Sequence, residues 1–296
     1  MTNRRSTPAS RWVLCAAIGL VSLKAATACG APNCAANPNL PNPGECLFQV
    51  VPVVMSGPGA NGAFFRTSLS IVSQSYAFSG RLVFHPAGQA GTDSDPSLAF
   101  TVAYGESRAF PDVLAAIGAS GLGSLDVLLS TPGMTPGGFS TYGFFAFAEL
   151  YNDSVGRPGS TNELVTPIDP SSGYIRDILS LYYQGFVLVP NLEGRRLRLG
   201  VRTLGSGQPC MMGFGLYESA KATMPLGFIT QTLPSNYFEQ FDPASLFGVE
   251  PQEGQLIRVS PNASIGCPTI AYIVVADNVS NAPSIRLIHA TTYQTF

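Results

Sequence analysis

The stretch FFRTSLSIVS, residues 64–73, returns in altered form as RRLRLGVRTL, residues 195–204. Leu69 and Ile71 of the first fall on Leu199 and Val201 of the second, at an offset of 130. Apolar residues alternate with polar ones in both, which is the period of a strand with one buried face. Working outward, Ile117-Gly118 meets Phe247-Gly248, and Gly123-x-Leu125 meets Gly254-x-Leu256 one residue later. Near its end each unit follows an apolar run with an acid and an amide, in ELYNDSVGRPGS (149–160) and VADNVSNAPS (275–284). Stacked arrays repeat every 20 to 50 residues or so, and a period of about 130 is the size of a domain. The chain is therefore expected to carry one fold twice.

Composition indicates which fold. Only 11% of the 296 residues are charged, while glycine and proline number 31 and 24. Few charges, many turn formers and abundant Val, Thr, Tyr and Phe favour β structure. Strand-like runs at 47–55, 64–73, 80–85, 98–104, 124–130 and 139–151 are separated by turn signals. The second unit repeats them at 184–189, 196–203, 210–217, 226–232, 255–260, 269–277 and 284–290. The expectation is all-β: two tandem antiparallel β-sandwich domains of immunoglobulin-like type, at 47–160 and 174–296, joined by a linker at 161–173. Each should hold one short helix. Asp242 is a natural N-cap, Pro243 suits the first helical position, and Gly248 can end the turn left-handed. PDVLAAIG (111–118) fills the same slot in the first unit. Pro52 predicts an edge or a break in the first strand, because proline cannot donate to a ladder. YIRDILSLYY (174–183) is consistent with either a helical turn or a strand.

The N-terminus reads as an export signal over residues 1–28. Arg4, Arg5 and Arg11 precede WVLCAAIGLVSL (12–23), and Ala26-Thr27-Ala28 offers small residues for cleavage. A bilayer span needs about 20 apolar residues, so this stretch is too short to be an anchor. Cys29 follows the small triplet and is a lipidation candidate, although Ala26 stands where such signals usually place Leu. Ordinary cleavage after Ala28 is the alternative. Acylation of Cys29 would leave Cys34, Cys46, Cys210 and Cys267, an even set that can pair as Cys34–Cys46 and Cys210–Cys267 in an oxidising compartment. Residues 29–46 form a Pro/Asn-rich tether. Removing the signal takes Arg4, Arg5, Arg11 and Lys24, leaving 12 basic and 18 acidic residues and a net charge near −6. That balance excludes nucleic acid as a partner, since phosphate neutralisation needs Lys and Arg. Protein or surface polysaccharide remains as partner, with membrane contact only through an N-terminal lipid and a location outside a bacterial cell or on its surface.

Chemistry-bearing residues are sparse. Arg196, Arg198 and Arg202 share one face of their strand, either as an anion-binding ladder or as a solvated outer face meeting acids of the other unit. Asp93 and Asp95 in AGTDSDPS (90–97) are a partial calcium inventory, or a turn; calcium takes six or more oxygens. The pairs Asn152-Asp153 and Asp277-Asn278 suit turn-fixing. His85 and His289 are the only two histidines and fall in different units; no Gly-x-Ser-x-Gly elbow, P-loop or paired glycosidase acids accompany them. No catalytic residue and no cofactor is assigned. Tyr142, Tyr182, Tyr183, Tyr237 and Tyr272 are the rings that could form a carbohydrate platform, since the single tryptophan, Trp12, is lost with the signal.

The phrases GANGAFFRTSLSIVS (59–73), RLVFHPAGQAGTDSDPSLAF (81–100) and VADNVSNAPS (275–284) resemble a group of uncharacterised secreted bacterial proteins. That group opens with an F-x-T-x-L-x-x-x-N and L-x-F-x-P-x-G pattern and closes with D-N-x-T-x-x-P-S. This chain departs from it at Ser73 and Ser280. The resemblance implies an exported tandem β-sandwich protein and transfers no active site. The sequence thus favours a non-catalytic surface or matrix interaction module, with a lectin-like carbohydrate binder as the alternative.

Overall fold

A computed structural model of the chain describes residues 45–74, 77–92, 94–130, 144–153, 163–165, 168, 178–179, 183–205, 207–261 and 268–292. The segment read as a signal peptide, nearly all of that read as a tether, Cys29, Cys34, Cys267, Asp93, Tyr142 and Tyr182 lie outside the described residues.

The first half contributes β1 (Glu45–Pro58), β2 (Phe64–Ser73), β3 (Phe78–Pro86), β4 (Ser97–Val102), β5 (Ser107–Phe110), α1 (Val113–Ile117), β6 (Gly121–Ser130), β7 (Phe144–Asn152) and β8 (Glu163–Val165). The second contributes β9 (Tyr183–Leu188), β10 (Arg195–Thr203), β11 (Cys210–Tyr217), β12 (Gly227–Leu233), β13 (Phe238–Phe241), α2 (Pro243–Phe247), β14 (Leu256–Pro261), β15 (Thr269–Asp277), β16 (Pro283–Leu287) and β17 (Ala290–Thr292). The fold is all-β, with antiparallel ladders and these two short helices. Among the described residues no helix is long and apolar enough to cross a membrane.

Strand pairing repeats along with the sequence. In the second half β12-β11-β14-β9, with β17 added at its edge, form one sheet and β13-β10-β15-β16 another. In the first half the same orders recur as β4-β3-β6-β1 and β5-β2-β7-β8. There β1 also pairs with β2, through Ser56–Pro58 and Phe64–Arg66, and this joins the two layers into one eight-stranded sheet. The register of β1 on β6 shifts between Val51 and Val54. Pro52 sits in that irregularity, where its missing N–H costs the ladder nothing. The break expected at Pro52 is present, in a strand interior to its sheet. The segment read as a linker, 161–173, supplies β8, and Ile168 bridges to Val50.

Both helices form as the sequence predicts. The Asp112 carboxylate accepts from the Ala115 N–H at 3.0 Å, and the Asp242 carboxylate from the Ser245 N–H at 3.4 Å. Gly118 and Gly248 end them at φ 81° and 70°, in the left-handed region that costs glycine little. Val113 and Leu114 of α1 enter the first core, and Phe247 of α2 enters the second.

Packing departs from the expected pair of self-contained cores. The second core lies between the two second-half sheets, with Leu197, Leu199 and Val201 of β10 facing Met212, Phe214 and Leu216 of β11. The opposite face of the β10 sheet is buried too. Phe238 and Tyr272 are fully buried and belong to the first half's core, while Val274, Ile285 and Leu287 pack against it. Ile270 and Leu204 join Val50 and Ile168 in a further small cluster across the seam. The sheet β13-β10-β15-β16 is thus covered on both sides.

Candidate functional site

The seam gathers four charged or titratable side chains, His85, Asp95, Asp126 and Arg202. On β6, Leu125, Val127 and Leu129 fill the first core, so strand alternation turns Asp126 to the outer face. On β3, Leu82 and Phe84 do the same and turn His85 outward. The β3–β6 register sets Val83 opposite Asp126 and His85 opposite Ser124, which leaves His85 and Asp126 diagonal neighbours. Arg202 reaches them from β10, fully buried. The loop after β3 brings Asp95 back over the imidazole, and Asn236 closes the group from the turn before β13.

His85 Nδ1 lies 2.5 Å from Asp95 Oδ2, and its Nε2 lies 3.0 Å from Asp126 Oδ2. The Arg202 guanidinium donates to both oxygens of Asp126, at 3.3 and 3.1 Å, and also to the Asn236 side-chain oxygen and the Thr203 carbonyl. Thr92 donates its hydroxyl to the other Asp95 oxygen at 2.9 Å. The chain crosses the seam here as well. Gly88 N–H donates to the Phe238 carbonyl at 2.9 Å, Gly91 N–H to the Asn236 carbonyl at 2.6 Å, and Ala90 forms a bridge with Tyr237. Gly91 is required: a Cβ there would meet Asn236 Nδ2 at 2.3 Å and His85 Nδ1 at 2.6 Å.

The ionisation states follow from this geometry. For Asp126, burial is the largest influence and opposes its charge, but Arg202 and His85 outweigh it and hold the carboxyl well below the usual range. Asp95 is also lowered, with burial again overcome by its bonds to His85 and Thr92. Burial likewise opposes an imidazolium at His85, and Arg202 adds to that opposition. The Asp126 charge and the hydrogen bonds from both carboxylates prevail, raising His85 above its ordinary value.

Arg202, grouped in sequence with Arg196 and Arg198, is therefore no part of a solvated face; it meets an acid of the other half. Arg198 pairs with Asp242, the N-cap of α2, and Arg196 donates to Asn278 and to Asn281 Oδ1 at 2.7 Å. Gly200, between them on the same face, is covered by the Tyr272 ring. All three arginines have partners within the chain. Asp95 has both oxygens committed to His85 and Thr92, and among the described residues no group of three or more His, Cys, Asp or Glu is placed to hold a metal. His289 is exposed and far along the chain from this cluster. Asp277 fixes its turn by accepting from the Val279 and Ser280 N–H groups, as expected, whereas Asn152 instead accepts from Phe64 N–H of β2. Cys210 is fully buried.

Two features carry only faint sequence signals. Asp126 stands alone among apolar residues in SLDVLL (124–129), and a lone acid in such a run signals a buried partner. Among the described residues a stacked, exposed ring pair is formed by phenylalanines. Tyr237 donates to Glu239 at 2.6 Å and Tyr272 is buried, while Phe145 and Phe147 on the outer face of β7 are 42% and 55% exposed. Their rings stack at 6.4 Å with an interplanar angle of 25°.

Neither a protein-family model nor a curated protein matches the chain. Function therefore rests on the geometry above. The one histidine–carboxylate constellation found among the described residues is sealed: His85 is 3% exposed, and no serine or cysteine nucleophile bonds to it.

Proposed function

We propose that the protein is an exported, non-catalytic bacterial interaction module, built as two tandem immunoglobulin-like sandwiches that present their outer faces at or beyond the cell surface. The observation carrying this reading is the burial of the His85 cluster. Its charged groups pair with one another inside the seam, so they brace the molecule and are closed to a substrate. The export signal, the processed Cys29 and the pairs Cys34–Cys46 and Cys210–Cys267 belong to the same proposal. Intact mass of the mature chain tests them together: acylation adds several hundred daltons, on the order of three fatty chains, and each disulfide removes two hydrogens.

A second reading, carbohydrate binding, is favoured by Phe145 and Phe147. Two stacked, exposed rings on a strand face offer an apolar platform for a sugar face, with Glu149 on the same face as a polar neighbour. Binding of the full mature chain to isolated envelopes and to a glycan panel separates the readings. Saturable binding to a protease-sensitive envelope component supports the interaction module. Selective glycan binding that weakens by roughly tenfold or more in F145S/F147S supports the second reading. Both phenylalanines face outward, so the double variant should fold normally. Turnover of any bound material would overturn the non-catalytic assignment.

A further inference from the structure

A neutral imidazole carries a single N–H, yet both ring nitrogens of His85 face carboxylate oxygens, Asp95 at 2.5 Å and Asp126 at 3.0 Å. Only the imidazolium can donate to both. With it, two carboxylates face two cations in the seam; without it, one negative charge is left in excess among buried groups and one carboxylate confronts a lone pair. We propose that the proton on His85 is a latch between the two halves, holding residues 87–92 on the second half when present and releasing them when lost.

The loop is the part of the His85 hairpin that reaches the second half. It crosses the seam through Gly88 N–H to the Phe238 carbonyl, Gly91 N–H to the Asn236 carbonyl and the Ala90–Tyr237 bridge. Asp95 anchors its far end, and this is the carboxylate that can turn to solvent, since Asp126 stays bound to Arg202. The charged and titratable groups facing His85 are Asp95 from its own hairpin, Asp126 from β6 and Arg202 from β10, with neutral Asn236 completing the ring. On β13, Glu239 lies beside Gly88 of the loop and is bonded by the Tyr237 hydroxyl. Asp93, in the same loop, lies outside the described residues.

The sign follows from the direction of each shift. His85 is raised above 6.5, so its contribution is complete below that value and is lost as pH rises through the raised one. Asp95 and Asp126 are lowered from 3.8, so theirs is present above that value and lost as pH falls through the lowered ones. The latch is closed between these limits and opens on the alkaline side through His85.

Nuclear magnetic resonance of the full mature chain, labelled with nitrogen-15, tests the latch. Imidazole nitrogen shifts report the charge on His85, and hydrogen exchange reports the Gly88 and Gly91 amides. Their protection factors, corrected for intrinsic exchange, should fall by roughly tenfold or more as His85 loses its proton, while amides inside β15 keep theirs. In H85Q, which cannot titrate, Gly88 and Gly91 should be poorly protected and insensitive to pH. D95N removes one carboxylate and should shift the His85 titration downward, a readout available even if H85Q folds badly. A neutral His85 at about pH 6, or Gly88 and Gly91 protection that ignores its titration, would overturn the latch.

Discussion

Replacing Asp126 by Asn is expected to destabilise the protein by about 3–5 kcal/mol, because it removes the anion that compensates Arg202 in a dry environment. Arg202 is fully buried, and Asp126 is the acid it pairs with, at 3.1 Å. The His85 imidazolium loses half of its anionic surroundings in the same step. For a chain of this size that loss corresponds to a fall in Tm of roughly 6–20 °C. A double-mutant cycle with R202M distinguishes this cause from general damage at the site. Removing both partners should cost less than the sum of the single changes, with a coupling of about 0.5–3 kcal/mol. Simple additivity would show that the two side chains do not act as a pair.

The second large effect is expected from G200A. A Cβ on Gly200 would lie 2.0 Å from one Tyr272 ring atom and 2.5 Å from two others. Tyr272 cannot easily retreat: it is fully buried, stacks on Phe238 with centroids 6.5 Å apart, and accepts a hydrogen bond from Gln240 at 2.9 Å. Overpacking of this kind costs about 1–3 kcal/mol and sometimes more. Here it also pushes Tyr272 off its own sheet and against the first half, forcing the seam apart, so the damage should fall on the seam as well as on β10. Burial holds the Tyr272 phenol far above its ordinary value of 10.0. In G200A one more phenol should therefore ionise near that value in a spectrophotometric titration. A variant with wild-type Tm and an unchanged titration would show that the seam tolerates the added methyl group.

Both variants probe a surface that the sequence describes only in part. The polar alternation of RRLRLGVRT places Arg196, Arg198 and Arg202 opposite Leu197, Leu199 and Val201, and the structure keeps that division. Alternation shows that two faces differ, but it cannot say whether the polar face meets water or a buried counter-charge. Asp126 is 76 residues from Arg202 and belongs to the other half, so no local spacing announces the pair. A subtler signal lay in the closing strands. The first-half FFAFAELYN turns polar after Ala148 and its burial alternates, leaving Phe145 and Phe147 outside, whereas the second-half TIAYIVVA is an almost unbroken apolar run. Such a run indicates a strand covered on both faces. The contrast between the two copies identifies which sheet is enclosed between layers.

The amino-acid order alone determined the local elements. Periods of two mark the strands, Asp242, Pro243 and Gly248 set the bounds of one helix, Gly118 ends its counterpart, and the offset of 130 announces the repeated topology. These follow because alternation, capping and left-handed glycine are decided within a few residues of chain. Three things were decided only by tertiary contact: the fusion of the first half's layers through β1 and β2, the burial of the second half's outer sheet, and the gathering of His85, Asp95, Asp126 and Arg202 into one neutralised group. Each brings together residues distant along the chain, and charges enter a desolvated seam only where opposite charges meet them there.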